Sequence, residues 1–149
     1  MSNDSVNSQA VKIAKITSQF SVSGEITESD ISKLMEQGID TIINVRPDNE
    51  CENQISDQQW QALAHKYRLN YLYVPVKPCQ YAEEDVAKFR AALALSAGGV
   101  HGFCRTGTRA AHLWALANKD KLSFTDMQGA LKSKGYDLDN IAAMFEGGQ

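Results

Sequence analysis

Three short apolar runs, each followed by a polar loop and then by a stretch with helical spacing, constrain this chain more than any other feature. The runs are DTIINV at 40–45, YLYVPV at 71–76, and Val100 to Cys104, the last entered through GGV. Runs of this length, rich in β-branched and aromatic residues, fit strands buried on both faces. The segments between them read as helices. In TESDISKLMEQG, Thr27 is placed to cap with Asp30 three residues on, Ile31, Leu34 and Met35 form an apolar face, and Gly38 stands at C′. Ser56 precedes a segment in which Trp60, Leu63, Ala64 and Tyr67 recur at i, i+3, i+4 and i+7. Residues 82–95 place Val86, Phe89 and Leu93 on one side, with acids in the first turn. Leu113, Trp114 and Ala117 give another helix face. Ser123 and Asp126 open a further helix that carries Phe124, Met127 and Leu131 and stops at Gly135, and a last short one is expected over Asp139 to Phe145. Phe20 to Val22 with Ile26 fits a first strand or hairpin.

Crossovers as long as these join parallel strands. The expected fold is therefore α/β: a single domain with a mainly parallel central sheet and helices on both faces. Residues 11–149 form the domain, and residues 1–10 read as a flexible polar tail. Sheets of this kind bind ligands beyond the carboxyl ends of their strands. RPDNEC (46–51), KPCQ (77–80) and CRTGTR (104–109) follow the three runs, so all three loops belong to that edge. They carry Cys51, Cys79 and Cys104, which are either unrelated loop cysteines or, in a second reading, the source of a reversible disulfide of Cys104 with Cys79 or Cys51.

CRTGTR joins a strand to a helix, and that junction makes an anion site. Loop N–H groups converge, and the helix presents its positive end. Gly107 permits a backbone conformation that a Cβ would oppose. Arg109, near the helix start, can fork two donors onto a tetrahedral oxyanion. The same field favours a thiolate at its centre, and a thiolate is a nucleophile, so Cys104 is the expected catalytic residue. Thr106 and Thr108 are placed to donate hydroxyl hydrogen bonds to the sulfur or to a substrate. Lys77 reads as a solvated surface lysine, with added positive potential at the pocket as the alternative, His101 and His112 receive no role, and Trp60 and Trp114 read as core.

Composition narrows the partners. A formal net charge of −3 over 149 residues gives no basic face for nucleic acid. No apolar run approaches the roughly 20 residues of a membrane span. The opening MSNDSVNSQ has no apolar stretch of the kind a signal peptide needs, so a cytoplasmic location is expected. The three cysteines and three histidines show no metal-ligand spacing, so neither metal nor cofactor is expected.

DTIINVRPDNE, YLYVPV, EEDVAKFRAAL and VHGFCRTGTRAAHLWALA resemble the bacterial phosphatase-like family found fused to, or beside, beta-lactamase-hydrolase-like proteins. The likeness spans about residues 15 to 120, and the family is similar to dual-specificity and tyrosine phosphatases. It implies a phosphatase-like fold, Cys104 as nucleophile and Arg109 as phosphate-binding arginine. Arg105, Thr106, Gly107, Thr108 and Ala110 become the substrate-binding positions, and a phosphate-bearing or other tetrahedral anion becomes the substrate. The chain departs from the standard phosphatase pattern in four ways. Four residues separate Cys104 from Arg109 instead of about five, and Ala110 stands where the arginine would fall. Phe103 precedes the cysteine where histidine is usual. Ala110 follows Arg109 without a hydroxyl, and Pro78 takes the place of the general-acid aspartate. Asp85 and Asp48 are the substitute acids, with Glu83 and Glu84 beside Asp85. A rhodanese-like sulfurtransferase, whose loop is typically one residue shorter, is the alternative, with a persulfide on Cys104. A noncatalytic anion-binding module is a third possibility.

Overall fold

The computed structural model describes residues 11–146, and the polar tail expected over residues 1–10 lies outside them. The chain opens with strands β1 (Ala14–Lys15) and β2 (Phe20–Ser23), which form an antiparallel hairpin. A turn of 3-10 helix at Glu28–Asp30 leads into α1 (Ile31–Glu36), then β3 (Ile39–Asn44) and α2 (Asp57–Tyr67). Strand β4 (Asn70–Tyr73), α3 (Glu83–Leu95), β5 (Gly99–Phe103) and α4 (Thr108–Ala117) follow. The chain ends with α5 (Phe124–Lys132), a second 3-10 turn at Asp139–Ile141, and α6 (Ala143–Glu146). The sheet order is β1-β2-β5-β3-β4, and every pairing except β1 with β2 is parallel. No helix among the described residues is long and apolar enough to cross a membrane.

Alternation along the strands sends side chains to two cores. On one face, Phe20, Val100 and Cys104 pack with Phe89 of α3, Trp114 of α4 and Leu131 of α5, and Phe20 stacks on Trp114 with ring centroids 5.7 Å apart. On the other, Ile42 and Phe103 meet Ile31 and Leu34 of α1 and Trp60 of α2. Gly102 lets α4 approach closely, because a Cβ there would stand 3.1 Å from that of Ala110.

The capping signals hold. Ser56 Oγ accepts from the Gln59 N–H at 3.1 Å, and Ser123 Oγ accepts from that of Asp126 at 3.0 Å. Three expectations need correcting. Met35 is 41% exposed, because a helix of six residues lying on a sheet can turn in little beyond Ile31 and Leu34. Ile26 is buried but lies outside β2, beyond the bend that leads to the 3-10 turn. The ladder of β4 ends at Tyr73, before Pro75, which has no N–H to give; Val74 and Val76 still donate to the carbonyls of Asn44 and Val45.

Candidate active site

Strand β5 ends at Phe103 and α4 begins at Thr108, so residues 104–107 make the whole turn between them. Gly107 is the N-cap of α4, with φ 101°. The conformation suits glycine, and a Cβ would also press on the Tyr136 ring, 2.9 Å from Cζ. The turn folds over Cys104, which is fully buried, and the Gly107 N–H donates to its sulfur at 3.1 Å. The Thr106 and Thr108 hydroxyls bond to each other at 3.2 Å. Arg105 is exposed on the loop. Ala110 is wholly buried in the core, so it offers only backbone at the helix start.

Arg109 is buried, its side chain 7% exposed, and is held by a fork. Nη1 and Nη2 donate to the two Glu50 oxygens at 2.7 and 3.0 Å, and Nη1 also donates to the Val76 carbonyl at 2.8 Å. Three of the five guanidinium N–H groups are thereby used. The side-on pair, Nε–H and the second Nη2–H, meets no oxygen acceptor among the described residues and lies on the Cys104 side of the guanidinium, which is the edge an oxyanion needs. Burial opposes the arginine's charge, but the Glu50 bonds and the nearby Cys104 outweigh it and raise its pKa. Glu50 lies below the usual carboxylate range, chiefly through its bonds to Arg109, with burial opposing and Arg46 assisting. Arg46, also buried, donates from Nε to Glu50 at 3.0 Å and from Nη1 to Glu25. The chain of charges Glu25–Arg46–Glu50–Arg109 thus ties the loops after β2 and β3 to the first turn of α4.

A cleft of about 450 Å³ opens beside the loop, lined by Glu50, Cys79, Tyr81, Arg105, Arg109 and His112 among others. His112 Nε2–H donates to the Asp137 carbonyl at 3.0 Å, which leaves Nδ1 to accept from the Tyr81 hydroxyl at 2.9 Å. Burial lowers the His112 pKa and raises that of Tyr81, so both are neutral around pH 7. All three cysteines are free thiols, Cys79 exposed and Cys51 half-buried.

The two expected acids are not brought to the cleft. Asp48 Oδ1 accepts from the Asp57 N–H at 2.8 Å and caps α2, and the Asp85 carboxylate accepts from the Ala82 N–H at 2.9 Å at the start of α3. Lys77 is exposed in a turn bridged to Gln80, away from the cleft lining. Glu50, Tyr81, His112, Tyr136 and Asn140, to which no motif assigns a part, all reach the loop or the cleft. Only Glu50 had an available signal, an acid four residues after Arg46 in a loop on the binding edge. Among the described residues no His, Cys, Asp and Glu side chains converge as a metal-binding group.

Residues 12–120 match the family described as the phosphatase-like domain of beta-lactamase hydrolase-like protein. A beta-lactamase hydrolase-like protein of Xylella fastidiosa is 30% identical over 138 residues, which cover 91% of this chain and 32% of the relative. This chain therefore spans about a third of the length of the curated relatives it matches. A crystal structure of a candidate phosphatase from Neisseria meningitidis superposes with a TM-score of 0.78 at 25% identity, covering 92% of this chain and 98% of that one. TpbA of P. aeruginosa, solved in complex with pTyr, has the same fold, with a TM-score of 0.64 at 14% identity over 89% of this chain and 82% of its own.

Proposed function

This chain belongs to the phosphatase-like domain family of beta-lactamase hydrolase-like proteins, and on that premise we propose that it hydrolyses phosphate monoesters through a cysteinyl-phosphate on Cys104. The observation that carries the reading is the open side-on pair of N–H groups on a buried Arg109, beside a sulfur that already accepts from the Gly107 N–H. The non-bridging oxygens of a phosphate are held by that pair and by the loop N–H groups. The Cys104 sulfur forms a bond to phosphorus as the ester P–O bond breaks, and the leaving oxygen takes the electron pair. Water then attacks phosphorus, releases inorganic phosphate and returns the thiolate.

Glu50 is the one carboxylate lining the cleft among the described residues, and two arginines hold it ionised, so it has no proton to give the leaving group. Esters of phenols suit such a site best, because a phenolate departs without an acid. The pTyr bound by TpbA is an ester of this type, and a phosphate-bearing substrate of this class is proposed here.

A second reading, sulfur transfer, draws support from the spacing of four residues between Cys104 and Arg109 and from a cleft whose one carboxyl among the described residues, Glu50, is held ionised. Cys104 would attack the outer sulfur of thiosulfate, sulfite would leave, and the persulfide would pass its sulfur to an acceptor thiol or cyanide. One paired assay decides. The purified chain is given an aryl phosphate, and separately thiosulfate with cyanide, each beside Cys104→Ser. The expected result is phosphate release that drops by at least about 1,000-fold in the variant. Cysteine-dependent sulfur transfer without phosphate release would replace the first reading by the second. If neither reaction occurs and phosphate still raises the melting temperature, the site only binds anions.

A further inference from the structure

The loop around Cys104 is fixed by a residue outside it. The Tyr136 hydroxyl donates to the Thr106 carbonyl at 3.1 Å, and the Gly107 N–H donates to the Cys104 sulfur at 3.1 Å. Those two groups belong to one peptide unit. In a trans peptide the C=O and the N–H point in opposite directions, so whatever holds one outward holds the other inward. We infer that Tyr136 is a positioning residue for Cys104, anchoring the Thr106 carbonyl so that the Gly107 N–H stays on the sulfur. The inference rests on the reading of Cys104 as the nucleophile.

Other bonds around the turn do not do this work. The Ala111 N–H donates to the Gly107 carbonyl at 2.9 Å, and the Thr108 N–H reaches Thr106 Oγ1 only at 3.4 Å; neither group is part of the peptide between Thr106 and Gly107. Tyr136 is itself well placed to act as an anchor. Its N–H donates to the Leu131 carbonyl at 3.0 Å, and Gly135, with φ 93°, turns the chain after α5 so that the ring lies over Gly107. The hydroxyl also polarises the peptide it binds, which strengthens the N–H on the far side. Tyr136 lies beyond the residues 12–120 that match the family, so this control comes from the loop that follows α5.

Tyr136→Phe keeps the ring over Gly107 and removes only the hydroxyl. The test follows the ultraviolet absorbance of the Cys104 thiolate against pH. It is read as the difference between each background and the same background carrying Cys104→Ser, which cancels tyrosine absorbance. In Tyr136→Phe the thiolate signal is expected to need a pH higher by about one unit, with kcat/KM for an aryl phosphate about 10-fold lower at neutral pH. Ring packing alone predicts no such movement. An unchanged titration in a Tyr136→Phe protein whose circular dichroism matches wild type overturns the inference. If Cys104→Ser leaves aryl phosphate hydrolysis unchanged, it is the nucleophile reading that fails, whatever Tyr136 does. If Tyr136→Phe folds poorly, Tyr136→His, whose ring nitrogens fall short of the Thr106 carbonyl, provides the second comparison; a thiolate signal displaced to higher pH supports the anchor, and one equal to wild type overturns it.

Discussion

Two cavities of about 450 Å³ open at opposite edges of the sheet, and they have little in common beyond their size. At the edge where the parallel strands begin, Lys15, Gln19, Ser21 and Ser96 line one of them. The acid in that neighbourhood, Asp40, is served locally: its carboxylate accepts from the Gly98 N–H at 2.8 Å, from Thr41 Oγ1 at 2.9 Å and from the Ser96 hydroxyl. At the edge where the strands end, Glu50 draws on two buried arginines, and one of them keeps a pair of N–H groups clear of any oxygen acceptor among the described residues. Volume does not tell the two apart. The difference is that the bonds at Asp40 are complete, whereas those at Glu50 hold an open set of donors in place beside a thiol.

Glu50→Gln is the hardest test of that contrast. Glutamine has one accepting oxygen and an NH2 group that faces donors, so the fork on Arg109 is lost, Arg109 loses its counter-charge and Arg46 keeps only Glu25. Arg109 keeps the Val76 carbonyl and a single bond to the glutamine oxygen. The expected fall in kcat/KM for an aryl phosphate is about 100-fold, measured by phosphate release on folded protein. A change of less than about threefold would mean that the loop and α4 orient Arg109 unaided.

The contrast also shows what a sequence can display. The strands, the caps at Ser56 and Ser123, and the glycines that end helices were legible because each is a local pattern; Gly38 and Gly135 adopt φ 87° and 93° at those places. CRTGTR was legible for the same reason, since strand, glycine and arginine fall within six residues. Glu50 and Tyr136 were not. Their partners lie 59 and 30 residues away, and no period links an acid in one loop to an arginine beyond another. The acids that did attract notice, Asp48 and Asp85, stand at helix starts, where a carboxylate finds backbone N–H groups nearer than any cleft.

His101, on β5 just before the loop, separates stability from activity at the active edge itself. It is fully buried between Ser21 and Ser23. Ser23 donates to the Gly24 carbonyl at 2.7 Å, so it accepts from Nε2–H, and Nδ1 accepts from Ser21. Burial pushes the His101 pKa down to about 3. Between the unfolded value of about 6.5 and that level, the unfolded chain binds a proton that the native state refuses. Stability contributed by neutral His101 is therefore present above about pH 6.5 and lost as pH falls, at up to about 1.4 kcal/mol per pH unit. His101→Gln is expected to flatten this slope in urea denaturation between about pH 6.5 and about pH 4. An equally steep slope would assign the acid sensitivity to other groups.

Asp40→Asn brings the smallest effect and completes the contrast from the other edge. The Ser96 hydroxyl holds the Asp40 carboxyl below the usual range, with burial opposing and Thr41 and Gly98 adding to the lowering. A lowered folded pKa means stability that is present above the unfolded value of about 3.9 and lost as pH falls through the folded one. Asparagine keeps one accepting oxygen and loses the charge, so the cost is expected to be about 1 kcal/mol at neutral pH, read as a shift of the urea midpoint. Below about pH 3 the gap between variant and wild type should narrow, because wild type has by then protonated the same group. Through all of this kcat/KM should stay within about twofold of wild type, since nothing at this edge touches Arg109 or the loop over Cys104. A loss of activity as deep as that of Glu50→Gln would show that the two edges are coupled through the sheet, and the open donors could then no longer be credited to the Glu50 bonds alone.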